Sequence, residues 1–169
     1  MGKLDQAGAA SAPFGGCLVS MGESPVADRK PVFWIVDDVA SCHELVRRSL
    51  AAVLSSCELH HYFEASEALV ELKACLSDPS GYGWLPDLIF MDFYIGEARG
   101  DEMTRRVRAL FRAAGLRGPW IVGHSSVARC SERIVEAGGD SVARKNPRLD
   151  VSPDIRAMLP DRAAALRFA

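Results

Sequence analysis

Five side chains in this sequence could share one chemistry: Asp37 and Asp38, Asp92, Ser125, and Lys145. Each lies where a short apolar run ends. Together they supply three carboxylates, a hydroxyl and an ammonium. Carboxylates packed together repel one another and require a cation. A hard divalent ion such as Mg2+ suits them, because it takes oxygen ligands and commonly binds through one or two carboxylates with waters and a phosphate. A carboxylate can also be a nucleophile, as in reactions that pass through an aspartyl phosphate. The charge that phosphoryl transfer spreads over oxygens is what a metal ion, an ammonium and a hydroxyl can stabilise. Each residue has a plainer use when taken singly: the acids cap turns or helices, the serine forms a turn, and the lysine is solvated.

The elements that must bring these residues together follow from hydrophobic patterning. Val32-Phe33-Trp34-Ile35-Val36 is an unbroken apolar run before Asp37-Asp38, and Leu88-Ile89-Phe90-Met91 is another before Asp92. Such runs, bounded by turn residues, predict strands buried on both faces. Shorter strands are predicted over 59–63, over Trp120-Ile121-Val122-Gly123 ahead of His124-Ser125-Ser126, and over 141–144 ahead of Lys145. Between them the spacing of apolar residues predicts helices: one of about 13 residues capped by Ser41, then 66–76, 101–114 and a segment around 131–137. Ser152-Pro153 is suited to open a last helix. Residues 77–84 read as a loop, and Gly96 and Gly100 as marks of a flexible connection. Regular alternation of strand and helix argues for an α/β protein: a doubly wound, five-stranded parallel sheet with helices on both faces. All strands then end on one edge, where such sheets hold their ligands.

Composition sets the outer limits. The chain has 169 residues, 49% hydrophobic and 25% charged, with a formal net charge of −2. That describes one soluble globular domain with no general attraction to nucleic acid or membrane. Five scattered cysteines without a Cys-x-x-Cys pair, no bilayer-length apolar run and no leader-like segment give a cytoplasmic reading. Residues 1–30, rich in Gly, Ala and Ser, read as a flexible extension, with Phe14, Leu18, Val19 and Met21 as its apolar exception. Residues 31–159 form the domain, and 160–169 a tail with a short helix. Arg105, Arg108 and Arg112 share one helix face, read as solvated. His60-His61 does not read as a metal pair, because strand neighbours point to opposite faces.

The order Val36-Asp37-Asp38, Met91-Asp92-Phe93, Gly100, Ser125, Lys145 resembles the receiver domain of two-component response regulators, over about residues 31–159. The resemblance implies a flavodoxin-like strand order of 2-1-3-4-5 and a stand-alone phosphorylation switch rather than an enzyme, with weak intrinsic autophosphorylation and dephosphorylation. Asp92 would be the phosphoacceptor, served by a histidine kinase or a histidine phosphotransfer protein. Asp37, Asp38, Asp92 and the backbone carbonyl of Tyr94 would hold Mg2+. Lys145 would pair with the phosphoryl oxygens and Ser125 would hydrogen-bond one of them. Output would be contact with a downstream protein, with no DNA-binding domain and no membrane association.

The sequence departs from the family pattern at several points. Gly96 replaces the usual proline, which implies a looser loop. The proline after the lysine is displaced to Lys145-Asn146-Pro147. The aromatic switch position is Val142. Either Ser125 or His124 aligns with the hydroxyl position, and Ser125 is preferred because it carries a hydroxyl. Two rivals follow: a receiver-like adaptor not regulated by phosphorylation, and an aspartate-nucleophile phosphatase, weakened because Tyr94 stands where its second carboxylate belongs.

Overall fold

The computed structural model describes residues 30–143 and Lys145. Strand β1 (Val32–Val36) is an inner strand and wholly buried. Around it lie α1 (Ala40–Ala51), β2 (Glu58–Tyr62), α2 (Ala65–Ser77), β3 (Leu88–Met91), β4 (Tyr94–Ile95), β5 (Ala98–Arg99), α3 (Gly100–Ala113), β6 (Trp120–Gly123), α4 (Ala128–Glu136) and β7 (Ser141–Val142). Five strands form one parallel sheet in the order β2-β1-β3-β6-β7. Counting only these five, the order is 2-1-3-4-5, as expected.

The sheet divides two apolar layers. On one face Trp34, Ile89, Met91 and Ile121 pack with Leu72 of α2, Val107 and Phe111 of α3, and Ile134 of α4. On the other, Phe33, Ile35, Phe90 and Val122 pack with Val46 and Leu50 of α1. Alternate residues of each strand thus serve opposite layers, and burial on both faces is why the runs are continuously apolar. Among the described residues no helix is long and apolar enough to cross a membrane. The extension over 1–29, the final helix, the tail and Asn146-Pro147 lie outside the described residues.

Several local expectations are corrected. Helix α1 is not capped by Ser41: it starts at Ala40 with Val39 as N-cap, and the Asp37 carboxylate accepts the Val39 amide at 2.9 Å instead. The loop over 77–84 contains a 3-10 helix, Pro79–Trp84, whose first turn is fixed by Asp78 accepting the Ser80 amide. The connection after Asp92 is not a loose loop but a hairpin in which β4 pairs antiparallel with β5. Gly96 turns that hairpin at a φ of 59° and donates its amide to Asp38 Oδ2 at 3.0 Å. A proline there would have neither the left-handed conformation nor the donor.

Arg108 also departs from the solvated reading. Its guanidinium donates to the carbonyls of Gly138 and Pro119 and, at 2.6 Å, to Asp140, which in turn accepts the amide of Ile121. One arginine therefore ties α3 to the segments flanking β6 and β7. The side chain of Arg105 remains largely exposed.

Candidate functional site

Adjacent strands place the acids together. Val36 and Met91 are partners in the β1–β3 register, so Asp37 and Asp92 emerge side by side. Asp37, Asp38 and Asp92 each offer a carboxylate oxygen within 4.8 Å of the others. The Lys145 ammonium bridges two of them, 2.7 Å from Asp37 Oδ2 and 2.6 Å from Asp92 Oδ2. Asp92 is held besides by its own amide, which donates to Val36 at 3.0 Å, while its Oδ1 accepts the Phe93 amide at 2.7 Å. Asp37 and Asp92 are buried and Asp38 is exposed.

Burial pushes the Asp37 carboxyl above its ordinary pKa, outweighing the bonds from Lys145 and the Val39 amide. Burial acts the other way on Lys145, but hydrogen bonds to Asp37 and Asp92 and their charges prevail, and the ammonium is held above its usual value. The corner therefore keeps a proton on its lysine while crowding three carboxylates. Its donor set is all oxygen, with one exposed acid at the entrance, which fits a hard divalent cation.

At the end of β6, Ser125 is buried with its amide donated to Ser131 Oγ at 3.0 Å. Its neighbour His124 lies across the ring edge of Phe90, a member of the α1 layer. His124 is 1% exposed, and neither ring nitrogen has a hydrogen-bond partner. Burial, then the charges of Lys145 and His43, lower its pKa to about 3. The unfolded chain thus binds a proton near pH 6.5 that the folded chain refuses. Stability from this residue is complete above pH 6.5 and is lost as pH falls toward 3, by about 2 kcal/mol at pH 5. His124→Phe should flatten this acid limb in denaturant titrations at pH 7 and pH 5. An unchanged pH slope would show that His124 is not its source.

Phe93, directly after Asp92, is buried beside two guanidinium groups, with Arg99 at 5.0 Å and Arg133 at 5.2 Å from its ring centroid. Both arginines reach Asp101 Oδ2, at 2.9 and 3.3 Å. Because Arg133 belongs to α4 and Asp101 to the first turn of α3, this group links the acidic corner to α4. Sequence reasoning missed it. An acid early in a helix is a visible signal, but nothing local points from Arg133 to Phe93, forty residues earlier. Tyr94 opens β4 and is exposed, and so is Val142 on β7.

No family model matches the sequence, and no curated protein matches it either. Solved structures do. A response regulator receiver protein from Burkholderia phymatum is 27% identical over 83% of this chain and 98% of its own, with a TM-score of 0.58. The receiver domain of the histidine kinase CKI1 from Arabidopsis thaliana, complexed with Mg2+, is 26% identical over 76% of this chain and 91% of its own, with a TM-score of 0.58. The same domain complexed with Mg2+ and BeF3- is 23% identical over 78% and 90%, with a TM-score of 0.61. The class that the fold defines is the receiver domain. By its strand order and these neighbours, the chain has the fold of response regulator receiver domains.

Proposed function

We propose that this receiver is a phosphorylation-controlled signalling switch that accepts a phosphoryl group on Asp92. The observation that carries the reading is the Lys145 ammonium set between Asp37 and Asp92 beside a third carboxylate. An Asp92 carboxylate oxygen would attack phosphorus of a phosphohistidine in a kinase or phosphotransfer protein. The new O–P bond forms as the P–N bond breaks, and the imidazole leaves. Lys145 would pair with the arriving oxygens, and Ser125 would donate its hydroxyl to one of them. Asp37, Asp38, Asp92 and the Tyr94 carbonyl would hold Mg2+, which when bound offsets negative charge on the carboxylates and phosphoryl oxygens.

Such a protein is a phosphoacceptor, and its output is a changed surface offered to a downstream protein. Val142 carries no aromatic ring to report the event. The Phe93–Arg133–Asp101 group offers another route, since it joins the residue after Asp92 to α4. The absent ring is also the observation that favours a second reading, an adaptor that binds partners without being phosphorylated.

Incubation with a labelled small phosphodonor and Mg2+ separates the two. Wild-type protein should form an acid-stable, alkali-labile acyl phosphate, and Asp92→Asn should form none. Absence of label on the wild type, or equal label on the variant, sinks the phosphoacceptor assignment.

A further inference from the structure

Asp37 is fixed at every polar atom. Its amide donates to the Tyr62 carbonyl at 3.1 Å, Oδ1 accepts the Val39 amide, and Oδ2 faces Lys145. The remaining atom, its backbone carbonyl, lies 2.6 Å from Nε2 of His43, a buried residue in the second turn of α1. A carbonyl oxygen can only accept, so His43 must carry its proton on Nε2. In the neutral ring Nδ1 is then a bare acceptor. It lies 2.9 Å from Nδ1 of His61, on β2, which must therefore be the donor. The His43 ring is also stacked on Phe63 at 4.3 Å. The result is a one-directional chain, from His61 Nδ1–H to His43 Nδ1, and from His43 Nε2–H to the carbonyl of Asp37.

We infer that His43 is a positioning residue for the cation-binding acids, with its working tautomer set by the Asp37 carbonyl and matched by the Nδ1–H of His61. The inference rests on the reading of the acidic corner given above. The backbone turn between β1 and α1 aims both Asp37 and Asp38. The Asp37 carbonyl is the hinge of that turn, because the peptide after it leads directly into Asp38. A donor from α1 locks this peptide plane against the helix, and the stack on Phe63 locks the donor. Without the bond, the carbonyl is left buried and unpaired, and the turn relaxes toward any other donor. Asp38, exposed and held by a single amide of the β4–β5 hairpin, would lose its aim first. Groups that orient metal ligands from behind carry effects of about tenfold or more on metal affinity.

The test combines spectroscopy with substitution in the whole chain. In the metal-free protein, nitrogen-15 spectra should show His43 protonated at Nε2 and His61 at Nδ1. His43→Phe keeps the stacked ring and removes the donor, and its Mg2+ affinity should fall about tenfold. His43→Gln keeps an N–H donor and should recover most of that loss. Protonation of His43 at Nδ1, unchanged Mg2+ affinity in folded His43→Phe, or a glutamine variant as impaired as the phenylalanine one overturns the inference. If His43→Phe fails to fold, the wild-type tautomers and the glutamine variant decide. Wild-type protein that shows both tautomers but binds no Mg2+ sinks the phosphoacceptor reading while supporting the histidine chain.

Discussion

Gly100→Ala is expected to lower the thermal midpoint by on the order of 10 °C and to impair phosphoryl acceptance at Asp92. Gly100 begins α3 and donates its amide to the Phe93 carbonyl at 2.8 Å, so the helix start is bonded to the segment directly after Asp92. A Cβ on this glycine would overlap the backbone carbonyl oxygen of Asp92 and approach the Met91 side chain at 3.1 Å. The obstructing atom is backbone and cannot swing aside. Relief therefore requires α3 to retreat from β3, which breaks the packing of Met103, Val107 and Phe111 on the sheet, or Asp92 to shift away from Lys145. Overpacking of this kind costs about 3 kcal/mol. Circular dichroism melts measure the stability, and acyl-phosphate labelling measures the site. A variant with the wild-type midpoint would mean that the helix and strand are not in the contact described.

Lys145→Met is expected to cost about 3 kcal/mol and to make stability depend on divalent cation. The ammonium is almost wholly buried and, among the described residues, is the cation paired with both Asp37 and Asp92. Removing it leaves two buried carboxylates beside a third acid, with only the amides of Val39 and Phe93 donating to them among the described residues. The wild type should also lose stability at alkaline pH. Because the folded pKa of Lys145 lies above 10.5, its contribution is complete below 10.5 and disappears as pH rises through the folded value. The variant should lack that alkaline loss. A cation bound among Asp37, Asp38 and Asp92 would supply the missing positive charge, so millimolar Mg2+ should raise the variant's midpoint more than the wild type's. Melts in chelator and in Mg2+ check this. Equal midpoints in chelator, or equal shifts on adding Mg2+, would show that Lys145 does not neutralise the acids.

The parts of the site legible in the sequence were those that strand ends impose. Asp37, Asp92, Ser125 and Lys145 each stand at or just past a strand end, and parallel pairing of those strands brings their ends to one edge. The parts not legible depend on contacts between elements. His43 and His61 lie eighteen residues apart, one on a helix and one on a strand, and adjacency of His60 to His61 pointed to the wrong comparison. Arg108 shares a helix face with solvated arginines, yet the turn before β7 comes close enough to capture it. Gly96 read as a loosening of the family's proline turn. Its positive φ and its amide bond to Asp38 make it instead a fixed hairpin corner.

The sequence by itself determined the layered α/β architecture and the residue types at the edge, because burial on both faces forces continuous apolar strands and leaves polar residues only where they end. Tertiary structure alone decided which groups hold those residues in place. A hydrogen bond from His43, a glycine against Asp92 and two guanidinium groups around Phe93 arise only from packing between distant elements, which local pattern does not encode.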